Sequence, residues 1–279
     1  MRVLRTRAEL RAALADVPRP LGLVPTMGWL HTGHRSLMAR ARADNATTIA
    51  SIFVNPRQFN EAADYQRYPR NEAHDLAICE EEGLDFVFAP AVEEIYPPGF
   101  DTVVSVGTVA RPLEGAARPG HFDGVATVVA ILFNLVGAER AYFGQKDAQQ
   151  VLVIRQMARD LAILTEVIAC PTVREPDGLA LSSRNVHLSP DQRAAAPVLR
   201  RALLAARARW KGGERSGDAL RAAMSEVLAG EALATPAYVS VADGRTLAEL
   251  DQVPDRVPTL LSLAVRLGPT RLIDNELLD

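Results

Sequence analysis

The stretch Thr47 to Val54, TTIASIFV, constrains the fold more than any other, because it is β-branched or apolar at almost every position with no polar alternate. A strand that turns apolar side chains to both faces has to be covered on both, which favours a parallel sheet between two layers of helix. Helix-like runs at Arg7 to Ala15, Ser36 to Ala43, Asn71 to Glu82, Gly124 to Leu135 and Ala148 to Leu161 supply that cover. They alternate with strand-like runs at Leu21 to Val24, Phe86 to Phe88, Thr102 to Val106, Ala141 to Phe143 and Thr165 to Ala169. The alternation predicts an α/β class: a Rossmann-like parallel sheet with helices on both faces over residues 1–172.

After Cys170-Pro171 the texture changes. PTVREPDGLALSSRNVHLSP is polar and reads as a long functional loop. Two helices are expected at Pro190 to Trp210 and Gly217 to Leu228, then strands at Tyr238 to Val241, Leu260 to Val265 and Arg271 to Ile273. These predict a smaller C-terminal α+β domain over 173–279, expected to act as a lid.

Composition narrows the function. With 48% hydrophobic and 23% charged residues the 279-residue chain is neither disordered nor membranous. A net charge of −3 argues against a broadly basic nucleic-acid surface. The start, MRVLRTRAEL, does not read as a signal peptide, and the apolar run Val125 to Ala138, interrupted by Asn134, is too short to span a bilayer. Cys79 and Cys170 are far apart, which fits a reducing, cytoplasmic setting with both as small buried residues. No histidine has metal-ligand spacing with a cysteine, so no structural zinc is expected.

The chemistry gathers at strand ends. LVPTMGWLHTGH, residues 23–34, reads as a strand that breaks at Pro25 and Gly28 and then places His31, Gly33 and His34 at a helix entrance. Free N–H groups and the helix dipole would favour a phosphate there, although such a string can also be an ordinary turn. FVNPRQF offers Asn55 and Gln58 after a strand, neutral amides suited to hydroxyl or carbonyl groups. YFGQKDAQQ places Lys146 and Asp147 at a helix start, as a point charge for phosphates and a candidate Mg²⁺ ligand, with Gln150 one turn on. In LSSRN, Ser182, Ser183 and Arg184 form a candidate anion clamp. LEGAARPGHFDG carries Arg118 and His121 and reads as a lid or a plain surface loop.

Taken in order, PTMGxLHxGH, SIFVNPxQF, YPR, RPGHFxGVxTVV, FGxKDxQQ, PTVREPDGLAxSSRN and TRLIDN resemble the pantothenate synthetase, or pantoate-beta-alanine ligase, family from about Arg2 to Asn275. The resemblance implies ATP-dependent condensation of (R)-pantoate with β-alanine through a pantoyl adenylate, releasing pyrophosphate and AMP. It implies that Met27, Gly28, Trp29, Leu30, His31, Thr32, Gly33 and His34 line ATP, with His34, His31 and Lys146 catalytic. Gly144, Gln145, Lys146, Asp147, Val173, Leu181, Ser182, Ser183 and Arg184 would also meet ATP, Asp147 holding magnesium. Gln58 and Gln150, with Asn55, would hold pantoate, Gln58 also meeting β-alanine. A cytoplasmic homodimer is implied as well. Trp29 stands where a small residue is common and Thr32 where an acidic one is, while Leu181 replaces a methionine. Gln66 and His74 occupy positions often acidic, which weighs against a second magnesium contact near Asp75. A nucleotidyltransferase that stops after adenylyl transfer and a nucleotide-binding regulator without turnover are the competing readings.

Overall fold

A computed structural model describes residues 1–278, and the chain divides into two compact units. The first comprises Met1–Gln145 and Gln149–Pro171; the second comprises Lys146–Ala148 and the chain from Thr172 on.

In the first unit the elements run β1 (Arg2–Leu4), α1 (Arg7–Leu14), β2 (Leu21–Thr26), α2 (Thr32–Asp44), β3 (Thr47–Ile52), α3 (Ala62–Arg67), α4 (Glu72–Glu81), β4 (Phe86–Phe88) and α5 (Val92–Ile95). They continue through α6 (Glu114–Ala117), α7 (His121–Val136), β5 (Arg140–Gly144), α8 (Ala148–Asp160) and β6 (Glu166–Cys170). The six strands form one parallel sheet in the order β1-β4-β3-β2-β5-β6. Strand order reverses between β2 and β5, so a ligand crevice is expected beyond their carboxyl ends, Thr26 and Gly144. Val24, Ala50, Val87 and Tyr142 meet Leu37, Met38 and Ala41 of α2 and Ile78 and Cys79 of α4 in one buried cluster. Helix α7, buried along most of its length, packs against α1 and β2.

Three expectations change here. Strand β2 does not break at Pro25 but runs to Thr26, in register with β3 up to Thr26↔Ile52. Its last pair with β5 is Leu23↔Ala141, so the missing N–H of Pro25 lies beyond that ladder and costs it nothing. Thr102 to Val106 is not a strand: it pairs with neither edge strand, β1 nor β6, and the Val104 N–H instead donates to the Thr127 hydroxyl at 2.9 Å. The helix expected from Ser36 begins four residues earlier, at Thr32.

The second unit contains α9 (Pro190–Ala195), α10 (Val198–Lys211), α11 (Gly217–Ala229) and an antiparallel sheet of β7 (Ala234–Asp243), β8 (Thr259–Leu267) and β9 (Thr270–Leu278) in that order. The single helix expected from Pro190 to Trp210 is two, because Pro197 has no N–H to continue the ladder and starts α10 instead. Leu199, Leu203 and Ala206 of α10 and Leu220 and Met224 of α11 pack with Leu261, Leu263 and Val265 of β8 into the core of this unit. Among the described residues no helix is long and apolar enough to cross a membrane.

Candidate active site

The turn leaving β2 is built around a carboxylate. The Thr26 hydroxyl donates to the Ser51 carbonyl at 2.8 Å and accepts from the Gly28 N–H at 3.2 Å, tying the strand end to β3. Gly28 (φ +80°) and Trp29 (φ +52°) are both left-handed, which turns the next two N–H groups toward one acceptor. That acceptor is Asp75 of α4, 1% exposed, which takes the Trp29 N–H at 2.9 Å and the Leu30 N–H at 2.8 Å. Asp75 is therefore committed to the turn rather than to a metal. The sequence raises Asp75 only in connection with magnesium, and no local signal ties it to the Leu30 amide 45 residues away. A left-handed position also explains why a tryptophan at 29 is a departure, since side chains are disfavoured there.

His31 caps α2, but in a way that revises the expected anion site. The Gly33 N–H donates to His31 Nδ1 at 3.1 Å and the His31 N–H donates to His34 Nδ1 at 3.3 Å, a capping box made of two imidazoles. The His34 and Arg35 N–H groups already donate to the His31 carbonyl, at 2.8 and 3.1 Å. Most helix-entrance amides are thus occupied and do not face an anion. Because both Nδ1 atoms accept from N–H groups, which can only donate, each neutral ring carries its proton on Nε2. The two rings lie 4.2 Å apart and tilted against each other. Thr32 is exposed at the first position of the helix.

At the end of β3, Asn55 and Gln58 bracket a 3-10 turn, Pro56–Gln58. Asn55 is 1% exposed and fully engaged: Nδ2 donates to Gln58 Oε1 and to the Gly124 carbonyl, each at 3.0 Å, while Oδ1 accepts from the Arg57 N–H at 3.2 Å and the Tyr96 hydroxyl at 2.7 Å. Gln58 keeps spare capacity: among the described residues its Nε2 donates only to Met27 Sδ, at 3.1 Å. His121 Nδ1–H donates to the Gln58 carbonyl at 2.9 Å, and Arg118 reaches both that carbonyl and His121 Nε2, at 3.3 and 3.2 Å. The stretch expected as a lid or plain loop is therefore an anchor for Gln58. The two glutamines of the QQ pair diverge. Gln149 is buried and bonded to the Glu114 N–H and to the Val109 and Pro112 carbonyls, whereas the half-buried Gln150 makes no side-chain hydrogen bond among the described residues. Gly144 and Gln145, also half-buried, close β5.

In the second unit, Lys146 keeps its side chain 15% exposed with Nζ 3.6 Å from Asp147 Oδ1, and its carbonyl accepts from Asn275 Nδ2 at 2.8 Å. Asn275 follows Asp274, whose carboxylate, 2% exposed, takes both arms of the Arg174 guanidinium at 2.6 and 3.0 Å. TRLIDN, carried by the resemblance without a site role, thus reaches the lysine. The polar stretch after Pro171 is less open than expected: Leu181 N–H donates to the Val173 carbonyl at 3.0 Å and Arg174 bridges Ala180, forming a short hairpin. Val173, Leu181, Ser182 and Ser183 are half-buried and Arg184 is exposed, the Ser182 hydroxyl accepting the Arg184 N–H at 3.2 Å.

For magnesium the donors are few. Among the described residues no three His, Cys, Asp or Glu side chains form a cage, and Asp147, 45% exposed, is a single carboxylate beside a lysine. That set fits an ion carried by phosphate oxygens, with one protein carboxylate, rather than a dedicated protein site.

The comparisons agree along the whole chain. A pantothenate synthetase of Roseiflexus castenholzii is 61% identical over 279 residues, and one of Chloroflexus aggregans 60% over 278, each match covering 100% of both chains. The crystal structure of pantothenate synthetase from Thermus thermophilus superposes with a TM-score of 0.93 at 50% identity, covering 99% of each chain. A pantoate-beta-alanine ligase from Francisella tularensis, solved with Beta-gamma ATP and beta-alanine, gives 0.81 at 33% identity over 99% of this chain and 97% of that one. With the family model for pantoate-beta-alanine ligase matching residues 2–277, the chain belongs to that family.

Proposed function

We propose that this chain condenses (R)-pantoate with β-alanine in two ATP-dependent steps. The pantoate carboxylate attacks the α-phosphorus of ATP; the bond to the β-phosphate breaks, leaving pyrophosphate and pantoyl adenylate. The β-alanine amine then attacks the acyl carbon, the acyl–phosphate bond breaks with AMP as leaving group, and the amide of pantothenate remains.

The observation that carries this reading is the imidazole capping box, whose two Nε2–H donors stand at the switch point of a parallel sheet. A carboxylate is already ionised at neutral pH, so the first step needs little base; its barrier is the charge that accumulates on the phosphate. His34 and His31 supply donors to that charge, His34 as the acid, and Lys146 supplies a cation. Met27 to His34, with Gly144 to Asp147, Val173 and Leu181 to Arg184, are assigned to ATP. Asp147 would hold Mg²⁺ on the phosphates, where the ion supplies charge neutralisation. Gln58 and Gln150 hold pantoate through their amides, and Asn55, saturated by its own bonds, acts through Gln58. A cytoplasmic homodimer belongs to this reading and rests on family resemblance alone.

The test is product formation. Pyrophosphate should appear with MgATP and pantoate, and AMP only when β-alanine is added; AMP without the amine, or neither product from folded protein, overturns the assignment. Lys146→Ala and His34→Ala should each lower adenylate formation by roughly 100- to 1000-fold while melting near wild type.

A further inference from the structure

We propose that Tyr96, acting through Asn55, fixes which end of the Gln58 carboxamide faces the substrate, so that pantoate meets an N–H donor there. The inference rests on Gln58 holding pantoate.

The Asn55 amide has one possible orientation. The Arg57 N–H can only donate and lies 3.2 Å from Oδ1; the Gly124 carbonyl can only accept and lies 3.0 Å from Nδ2. The second Nδ2 proton must then go to Gln58 Oε1, at 3.0 Å. With its oxygen turned inward, Gln58 presents its NH₂ end, and one of those protons rests on the Met27 sulfur, a weak acceptor. The other proton is the one a ligand would meet.

Tyr96 completes this chain. Its hydroxyl donates to Asn55 Oδ1 at 2.7 Å, the shortest of the four bonds to that amide. The ring is held by Phe100 at 5.0 Å, Phe53 at 6.1 Å and the Arg57 guanidinium stacked at 5.0 Å. Arg7 of α1 pins the segment from behind, donating to the Glu94 carbonyl and, at 3.0 Å, to the Ile95 carbonyl. Burial holds the phenol protonated, so it stays a donor at any working pH. Without the hydroxyl, Oδ1 keeps only the longer bond from Arg57, and the Asn55 plane can tilt. Gln58 then loses the partner that keeps its oxygen inward.

The experiment is a double-mutant cycle of Tyr96→Phe and Gln58→Ala, read as pantoate affinity by calorimetry, with the ATP KM and melting temperature of Tyr96→Phe alongside. Tyr96→Phe should weaken pantoate roughly five- to tenfold, about the worth of one buried hydrogen bond, and leave the ATP KM within about twofold. In the Gln58→Ala background the same change should have no further effect, because the residue through which Tyr96 acts is gone. Asn55→Asp, which puts an acceptor against Gln58 Oε1, should weaken pantoate more than Tyr96→Phe does. An equal loss from Tyr96→Phe in both backgrounds, or a lower melting temperature with unchanged pantoate affinity, overturns the role of Tyr96 alone. Unchanged pantoate affinity in Gln58→Ala overturns the assignment of Gln58 and this inference with it.

Discussion

Replacing Gly124 by alanine should destabilise the protein and weaken pantoate, although alanine is the better helix former by about 1 kcal/mol. Gly124 lies in the first turn of α7, where the helix backbone meets the 3-10 turn that carries Gln58. A Cβ there would stand 2.3 Å from the Arg57 carbonyl oxygen, 2.5 Å from its carbon and 2.7 Å from the Gln58 nitrogen. Ordinary contacts are near about 3.5 Å, so the turn has to retreat by about 1 Å. All three obstacles are backbone atoms, and the turn is also tied to Gly124 itself through Asn55, so no side chain can swing aside. Overpacking of this kind costs about 1–3 kcal/mol, which exceeds the propensity gain. For a chain of this size the melting temperature should fall by roughly 2–8 °C. A displacement of about 1 Å at a positioning group can cost up to about 100-fold in rate, so kcat/KM for pantoate should fall far more than stability suggests. Differential scanning fluorimetry and initial rates at varied pantoate, with ATP as the control, measure both. An alanine variant that melts at or above wild type with an unchanged pantoate KM would refute the steric argument.

Asp75→Ala should raise the ATP KM about tenfold or more and cost several kcal/mol by chemical denaturation, because two buried amides lose a charged acceptor and hydrogen bonds to charged groups contribute about 1.5–3 kcal/mol each; wild-type values for both would remove Asp75 from the turn. Burial pushes the Cys79 thiol up to about 12, so an aromatic disulfide reagent at about pH 8 should leave it unmodified in folded protein and label it quickly in urea. Rapid labelling of the native chain would contradict its place in the core. Hydrogen bonds from Arg5 and Arg193 hold the carboxyls of Glu72 and Asp177 below their ordinary values. A depressed carboxyl stabilises the fold above its unfolded value and loses that contribution as pH falls through the folded one, so thermal stability should hold from about pH 7 to about 5 and decline below about pH 4. Both pairs are partly exposed, each worth under about 1 kcal/mol, so Glu72→Gln should flatten the acid limb only slightly.

The parallel sheet was legible because TTIASIFV cannot be half-exposed, and β3 is buried at every position from Thr47 to Ser51. Length limited the rest. Three residues, Arg2–Leu4, are too few to show a period, yet β1 pairs with β4 along all three. Thr102 to Val106 has the residue types of a strand, but a strand also needs a ladder partner, which the topology and not the local sequence supplies. The break at Pro197 is marked by the proline itself, but the apolar spacing of the two helices continues across it.

The site divides along a different line. HTGH announced two histidines at a helix entrance, and they are there; their use of Nδ1 as caps, which sends the protons to Nε2, depends on a backbone geometry that residue types do not encode. The same holds for the amides. Gln149 and Gln150 are adjacent and chemically identical, yet one is saturated by three backbone partners and the other makes no side-chain bond among the described residues. Asn55 and Gln58 share one turn, yet only Gln58 has a proton left for a ligand. A buried polar group must find partners, so each such side chain near a crevice either completes the scaffold or awaits a substrate. Sequence supplies the candidates for both roles. The donors and acceptors already taken separate them: Gln58 and Gln150 keep the capacity that the proposed binding of pantoate would use, while Asn55, Gln149 and Asp75 spend theirs on the scaffold around them.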